Sequence, residues 1–286
     1  MIDETVDQIR TMQTQSASIV AVKAATALKE LIDREHRTVE EFTRSLERNS
    51  SALRQANHSH ALLFTTQQRI VTELNESDPD TVKEAKERLR TTIEAMVDEI
   101  ESSKRKAAET AAGLIEDGDV ILTHENSSTV MATLEYALDS GTSFDLFVTE
   151  SRPRFLGRRT ARQIGGREGV NVTQIVDGAV GYYMSDCDRV MIGMNCLIAE
   201  SVYNRIGTYP VVAMAACEGI PVTVVGVGLK FIGGGFEFKN KFGPAVEVMR
   251  EPVDTFDIAN PGYDATPTRL LDTVVTEDGV IEFQAE

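Results

Sequence analysis

Apolar residues in the first part of the chain recur at the three- and four-residue spacing of an amphipathic helix. One set comprises Ile19, Val22, Ala25, Leu28, Leu31 and Ile32, and a later set comprises Leu89, Ile93, Met96, Val97 and Ile100. The pattern predicts about four or five helices within residues 1–116, the last running from Thr81 to Ile115 and ending at Gly118. Asp78 before Pro79 is typical of a helix start, with the aspartate as N-cap.

The rhythm changes from Asp119, where short apolar runs alternate with helical segments. The runs that predict strands are Val120–Leu122, Phe144–Val148, Val172–Val176, Arg189–Ile192, Val222–Val225 and Thr273–Val275. The helical segments include Thr129–Leu138, Phe155–Gly165, Ala179–Met184 and Thr208–Cys217. Strands without polar alternation are buried on both faces, which favours a mainly parallel sheet covered by helices. The sequence therefore predicts an α/β protein with an N-terminal helical domain, residues 1–116, and a sheet domain, residues 117–286.

Ligands of parallel sheets bind beyond the carboxyl ends of the strands, and those ends carry nearly all the distinctive residues. The ends are Thr123–Ser127, Thr149–Pro153, Asp177–Gly178, Gly193–Cys196 and Gly226–Lys230. In the stretch VILTHENSS, residues 120–128, a buried strand ends in a polar turn at a helix start, where backbone N–H groups favour an anion. The side chains of this turn include Glu125, Asn126 and Ser127.

Charged residues follow the second and third predicted strands. Arg152 and Arg154 suit bidentate binding of a phosphate or carboxylate, and equally pairing with Glu150 or Asp177. Asp177 opens a helical segment, where an aspartate either caps the helix or hydrogen-bonds a ribose hydroxyl.

A second candidate anion site precedes the helix Tyr209–Cys217. An amide, a guanidinium, a glycine backbone and a hydroxyl meet at its N-terminus, from Asn204, Arg205, Gly207 and Thr208. This arrangement favours a phosphate site, and the alternative is a capped helix with a surface arginine.

The last two strand ends carry further candidates. Asn195 does not titrate, so it cannot act as the general base or acid that a carboxylate there would be. Cys196 is nominally a nucleophile, and the alternative is a buried thiol. Gly226–Gly243, which contains Lys230, is predicted to be a long irregular loop that serves as a ligand lid, a partner surface or a plain connector.

Composition narrows the function classes. The net charge of −16, from 45 acidic and 29 basic residues among 286, argues against general nucleic-acid binding. This acid-rich, lysine-poor surface suits a salt-rich cytoplasm, and an ordinary acidic protein is the alternative. No apolar run approaches the ~18 residues of a membrane span and the acidic N-terminus lacks a signal-peptide apolar region, so a cytoplasmic protein is expected. Scattered cysteines and histidines predict no metal site, no disulfide and no cofactor.

Ordered motifs cover nearly all of the second half of the chain. They are ILTHENSS (121–128), FVTESRPRFLGRRTA (147–161), VTQIVDGAVGYYM (172–184), VMIGMN (190–195), YNRIGTYP (203–210) and DATPTRLLDTVVTEDGV (264–280). Together they resemble the family of the alpha, beta and delta subunits of translation initiation factor 2B, which also contains isomerases of methylthioribose 1-phosphate and ribose 1,5-bisphosphate. The resemblance implies an N-terminal helical domain, a Rossmann-like C-terminal domain and a homodimer formed through the latter.

The resemblance also indicates where catalytic groups would lie. The family's isomerases open the ring of a phosphorylated ribose and move the carbonyl from C1 to C2, with a cysteine after the first strand and an aspartate after the fourth. Glu125 and Asn195 occupy those positions here. The family's phosphate-binding Arg-Gly-Ala corresponds to Gln15-Ser16-Ala17, and its Arg-Pro-Thr corresponds to Asn57-His58-Ser59.

Because an amide cannot carry a proton and two catalytic positions are altered, the expected function is a non-catalytic, initiation-factor-2B-like homodimer. It is expected to bind a phosphosugar or nucleoside phosphate, with an initiation factor 2 subunit as a candidate partner. The expected ligand-binding residues are Asn126, Ser127, Arg152, Asp177, Asn204, Arg205, Gly207, Thr208 and Lys230. Two alternatives stay open: a diverged ribose-1,5-bisphosphate isomerase that uses Glu125, and a ligand-free scaffold that binds a partner through its acidic surface and the Phe231–Phe242 segment.

Overall fold

The computed structural model describes residues 2–11, 16–251 and 255–283 of the chain. They belong to two compact units, Met1–Ser102 with Gly234–Lys239 and Ser103–Gly233 with Asn240–Glu286. The first unit is helical and the second contains a mainly parallel sheet, so the α/β fold class is confirmed. The domain boundary at residue 116 stays a prediction, whereas the two compact units separate at Ser102, inside a long helix.

Helices make up the described part of the first unit. They are α1 (Ile2–Thr11), α2 (Ala17–Ala27), α3 (Glu30–Asp33), α4 (Val39–Gln55), α5 (Ala61–Glu76) and α6 (Val82–Ala112), whose last turns lie in the second unit. These described helices outnumber the predicted four or five because the apolar spacing from Leu28 to Ile32 runs across the break between α2 and α3. Phe42, Leu46 and Leu53 of α4 are fully buried.

Threonine hydroxyls begin α4 and α6. The Oγ1 atom of Thr38 accepts a hydrogen bond from the Glu41 N–H at 3.1 Å, and that of Thr81 accepts one from the Glu84 N–H at 3.2 Å. The predicted N-cap at Asp78 is therefore wrong. Asp78 has a left-handed backbone with φ 41°, and α6 begins only at Val82. The residue before Val82 is Thr81, whose hydroxyl accepts a hydrogen bond from the first turn of the helix.

The second unit contains all the strands of the described residues. They are β1 (Val120–Thr123), β2 (Phe144–Thr149), β3 (Val170–Ile175), β4 (Arg189–Gly193), β5 (Cys196–Ile198), β6 (Ser201–Arg205), β7 (Val222–Val225), β8 (Phe231–Ile232), β9 (Tyr263–Pro267), β10 (Thr273–Thr276) and β11 (Gly279–Glu282). The main sheet has seven strands in the order β11-β10-β7-β4-β1-β2-β3, and all its pairs are parallel except β10 with β11. All the predicted strands are present in this sheet.

Helices cover both faces of the main sheet. They are α7 (Ser128–Asp139), α8 (Gly157–Ile164), α9 (Val180–Tyr183) and α10 (Thr208–Glu218), together with the end of α6. Ile121 of β1 packs with Leu134 of α7 on one face, and Leu122 packs with Val212 of α10 on the other. Because both faces are buried, these strands lack the polar alternation of a half-exposed sheet.

A smaller sheet of four strands, in the order β8-β5-β6-β9, lies in the same unit. The apolar pattern did not predict it because its strands are short and carry polar residues such as Asn204 and Asp264. The predicted irregular segment Gly226–Gly243 contains a short 3-10 turn, Gly228–Lys230, and then β8. None of the helices in the described ranges is long and apolar enough to span a membrane.

Candidate functional site

The main sheet has a topological switch point between β1 and β4. From β1 the strand order continues through β2 and β3 on one side, and through β4, β7 and β10 on the other. Ligands of such sheets bind at the carboxyl ends of the two strands that flank the switch point. Glu125 lies two residues beyond the end of β1, and Asn195 lies two residues beyond the end of β4.

Glu125 lies in a strained turn that hydrogen bonds hold from two sides. Its backbone is left-handed, with φ 66°, which is rare for a residue with a side chain. Its N–H donates to the Ser151 Oγ at 2.7 Å, and its carbonyl accepts from the Thr160 Oγ1 at 2.7 Å. Since only 8% of the residue is exposed, the structure keeps a carboxylate largely out of water at the switch point.

The neighbouring His124 has a structural role. Its Nε2 atom donates to the Ile206 carbonyl oxygen at 2.9 Å, since a carbonyl can only accept, and its Nδ1 atom is hydrogen-bonded to the Thr149 Oγ1 at 2.7 Å. A Cβ atom at Gly207 would lie 2.7 Å from the imidazole Cε1, and Gly207 itself has φ 101°. The imidazole therefore packs on the Gly207 backbone and fixes the turn that carries Glu125.

Close packing at Gly193 brings the two strand ends together. A Cβ atom on Gly193 would overlap the Ser127 hydroxyl and would lie 3.7 Å from Oε1 of Glu125. Two residues later, Asn195 is 7% exposed, and its N–H donates to the Tyr203 carbonyl at 2.9 Å. The carboxylate of Glu125 thus lies against the β4 end that leads into Asn195.

A buried lysine lies at the same place. Lys230 is 5% exposed, and its Nζ atom donates to the carbonyl of Met194 at 2.6 Å. Burial lowers the pKa of Lys230 from its ordinary value of 10.5 to about 8, although the nearby Glu125 carboxylate and Cys196 thiol favour its charged form. The sequence placed Lys230 at this edge of the sheet as a candidate ligand-binding residue, but did not predict that it is buried beside Glu125.

Two more buried groups border Glu125 and Lys230. The Cys196 thiol is fully buried, as the buried-thiol alternative expected, and this burial raises its pKa to about 12. Burial also raises the pKa of Tyr263. The positive charge of Arg205 lowers this pKa, and the negative charge of Glu125 raises it. The guanidinium carbon of Arg205 lies 4.8 Å from the centre of the Tyr263 ring. The phenol therefore lies within reach of the charges of both Glu125 and Arg205.

The predicted phosphate cradle at the start of α10 is occupied by a side chain of the protein itself. Oδ2 of Asp264 accepts from the Gly207 N–H at 2.8 Å and from the Tyr209 N–H at 3.1 Å. Thr208 is also satisfied internally, because its Oγ1 accepts from Asn204 Nδ2 and donates to the Arg205 carbonyl. Asp264 therefore caps this helix start, and phosphate binding by these residues stays a prediction. The side chain of Arg205 lines a pocket among the neighbouring loops.

Asp177 and Arg152 hold a loop together. The two carboxylate oxygens of Asp177 accept the N–H groups of Ser151 and Arg152, each at 2.7 Å, so Asp177 does not cap its own helical segment. The guanidinium of Arg152 is exposed and donates to the Val248 carbonyl at 3.0 Å. Arg154 pairs instead with Glu247 at 3.1 Å. A small cavity of about 20 Å³ lies among these loops, with Arg152, Arg154 and Arg205 in its wall.

Asn126 and Ser127 have partners within the fold. The Ser127 hydroxyl caps α7 through the Val130 N–H at 3.4 Å. The Asn126 amide donates to Thr160 Oγ1 at 2.9 Å and to Gln163 Oε1 at 3.0 Å. These contacts orient the turn around Glu125.

Comparison with known proteins identifies the family. The profile of the initiation factor 2 subunit family matches residues 13–283. The chain belongs to this family. It is 32% identical to the ribose 1,5-bisphosphate isomerase of Methanocaldococcus jannaschii, over 98% of this chain and 91% of that protein. It is 31% identical to the ribose 1,5-bisphosphate isomerase of Haloterrigena turkmenica, over 96% and 88%.

A solved structure shows the same fold. The tetrameric complex of the beta and delta subunits of initiation factor 2B from C. thermophilum matches this family member with a TM-score of 0.85. The identity is 22%, and the match covers 96% of this chain and 90% of that one. At that identity the likeness concerns the fold alone.

The expected non-catalytic function is contradicted by the curated relatives. The two relatives above match this family member along nearly their whole length and are named as enzymes of sugar-phosphate isomerisation. The expectation gave too much weight to two altered positions and took no account of which titratable groups the fold gathers around them. The isomerase alternative fits the comparisons better.

The remaining predicted positions lie in the first unit or outside the described residues. Gln15 is among the residues that the structure does not describe, and Ser16 caps α2. Asn57 and His58 line an open pocket of about 310 Å³ with Arg54 and Lys239. Tyr263 and Asp264 received no role from the sequence, although Asp264 begins the motif DATPTRLL.

Proposed function

We propose that this protein is an aldose–ketose isomerase that converts ribose 1,5-bisphosphate, or a close ribose phosphate ester, into the 2-ketose. The observation that carries the proposal is the position of Glu125, a buried carboxylate at the switch point of the sheet. The names of the curated relatives support the substrate class. The finer assignment of substrate rests on those names.

The reaction requires proton transfer at adjacent carbons. When the phosphate is on C1, the ring opens as the bond between C1 and the ring oxygen breaks, C2 loses a proton, and C1 later gains one. A single carboxylate can take the proton from C2 and return it to C1, because both carbons lie on one face of the intermediate. Glu125 has the chemistry for this transfer, and the amide of Asn195 has the donors and acceptor to hold a sugar hydroxyl.

Arginine side chains supply the positive charge for a phosphate. Arg152, Arg154 and Arg205 line one pocket. The charges of Arg205 and Arg154 lower the pKa of Tyr263, and the charge of Glu125 raises it, so these groups lie near the same phenol. A guanidinium binds phosphate oxygens in a bidentate manner. In this proposal these guanidinium groups bind one phosphate of the substrate at the edge of the site, and the sugar carbons reach Glu125.

The test is turnover by the purified protein. Ribose 1,5-bisphosphate followed by proton NMR should lose its anomeric signal as the C1 methylene signal of the ketose appears. Glu125→Gln keeps the size of the side chain but removes the base, so kcat should fall by about 10²–10⁴. Glu168→Gln, at an exposed position of the same unit, is the matched control and should behave as wild type. An unchanged anomeric signal with wild type, or full kcat in Glu125→Gln, would contradict the proposal.

A further inference from the structure

The proposed reaction needs a second proton carrier. While Glu125 serves the two carbons, the ring oxygen has to gain a proton as its bond to C1 breaks, and the C2 hydroxyl has to lose one as the ketone forms. Asn195, at the position where the resemblance places an aspartate, cannot do this because an amide does not titrate near neutral pH. If the proposed function holds, another group at the site must exchange this proton.

Most titratable neighbours of Glu125 are unsuitable. The Cys196 thiol has a pKa of about 12, and burial raises the pKa of Tyr263 as well. Both ring nitrogens of His124 have partners in the fold. Asp264 holds two amides at the start of α10 with one oxygen. Among the described residues around this carboxylate, Lys230 is the group that remains.

The fold holds the Lys230 ammonium in place and leaves part of it unused. The 3-10 turn Gly228–Lys230 follows β7, and the side chain reaches the Met194 carbonyl, one residue before Asn195. That hydrogen bond is the one partner of the ammonium among the described residues. Since an ammonium has three N–H donors, two remain for substrate oxygens.

We propose that Lys230 is the second acid–base group of the site and acts on the oxygens of the sugar while Glu125 acts on its carbons. The ammonium gives a proton to the ring oxygen as the bond between C1 and that oxygen breaks. The Glu125 carboxylate takes the proton from C2, which leaves an enol between C1 and C2. The protonated Glu125 then delivers its proton to C1, and the neutral amine takes the proton from the C2 hydroxyl. Both side chains return to their starting forms, and no other reactant is required.

The charges that face Lys230 suit this exchange. Burial lowers the pKa of Lys230 to about 8, and the groups that favour its charged form are Glu125 and Cys196. A proton carrier works best when its pKa lies near the working pH, because both of its forms are then accessible. An ordinary exposed lysine, with a pKa near ~10.4, would rarely be neutral enough to take the proton back.

Three lysine variants separate proton transfer from simple charge. Lys230→Met should lower kcat by about 10²–10⁴, as expected for loss of an acid–base group. Lys230→Arg keeps the positive charge but cannot release a proton, so it should show a similar loss in kcat with a smaller change in KM. The fall of wild-type kcat above about pH 8 should disappear from the residual activity of both variants. Lys106→Met, at an exposed position of α6 in the same unit, is the matched control.

A second measurement does not depend on activity. In protein with ¹⁵N-labelled lysine, the Lys230 signal, assigned by its absence from Lys230→Arg, should titrate near pH 8. In Glu125→Gln it should titrate lower, because the negative charge that favours the ammonium is gone. Wild-type turnover with full kcat in Lys230→Arg, or titration of Lys230 above pH 10, would overturn this inference and leave the isomerase proposal standing. No turnover by wild type overturns the isomerase proposal, and this inference with it.

Discussion

Lys230 reduces the stability of the fold that holds it. The difference between its ordinary pKa of 10.5 and about 8 corresponds to roughly 3 kcal/mol in favour of the neutral form. A residue selected for packing alone would be an apolar side chain of similar volume, since buried ionic groups often stabilise less than apolar replacements. An unfavourable charge is typical of a functional site, and the left-handed backbone of Glu125 is a second strained feature of the same site.

The pH dependence of stability reports this lysine directly. In the folded chain Lys230 releases its proton near pH 8, and in the unfolded chain near ~10.4, so between these values the unfolded state binds more protons. The free energy of unfolding of wild type, relative to Lys230→Met, should therefore rise between pH 8 and 10, by at most about 1.4 kcal/mol per pH unit. Urea unfolding of both proteins at several pH values measures this difference, and Lys106→Met should run parallel to wild type. Parallel curves for wild type and Lys230→Met would show that Lys230 has an ordinary pKa.

At the level of single residues, the sequence located the two strand ends but not their surroundings. Glu125 and Asn195 could be assigned because each follows a recognisable apolar run and belongs to a motif. The neighbours of Glu125 were assigned less completely. Lys230 was expected at the same edge because it follows a predicted strand, but its burial beside Glu125 was not expected. Tyr263, on a strand of the small sheet, received no role, and both positions result from tertiary packing that no local pattern encodes.

At the level of elements, the start of α10 shows how a correctly predicted helix can have a partner that the sequence did not reveal. The sequence placed this helix and its glycine correctly, and free amides at a helix start do attract anions. The anion in the structure is the Asp264 carboxylate from β9. The apolar pattern did not predict this strand because it carries polar residues. Its Oδ1 atom is buried without a partner among the described residues, and burial raises the pKa of Asp264 although it accepts two amides.

Asp264 should therefore be a measurable helix cap. Asp264→Ala leaves two amides of α10 without an acceptor and should lower the free energy of unfolding by about 1–2 kcal/mol. Asp264→Asn should lose less, because an amide oxygen can still accept one of these hydrogen bonds. Chemical denaturation of both variants, with the exposed Asp257→Ala as control, measures the effect. If Asp264→Ala unfolds at the same denaturant concentration as Asp257→Ala, Asp264 does not stabilise this helix start.

At the level of the whole molecule, the order of the main-sheet strands follows from patterns that the chain displays openly. Buried parallel strands are continuous apolar runs, and the helices between them recur at regular spacing, so the fold class needed little more than periodicity. The function was harder because loss of two family groups was equated with loss of chemistry. A fold can place other titratable groups at the same switch point, and here a carboxylate and an ammonium lie there together.

The surface charge leads to the last prediction. With a net charge of −16, the excess acidic side chains repel one another at low ionic strength, and salt screens that repulsion. For an ordinary acidic protein the rise in melting temperature with salt should end by about 0.5–1 M KCl, because the Debye length is then already near 3 Å. We predict that this protein is adapted to high salt concentrations, so that its melting temperature continues to rise at molar KCl. Melting curves followed by circular dichroism from 0.1 to 3 M KCl decide between the two, and a plateau below 1 M would identify an ordinary acidic protein.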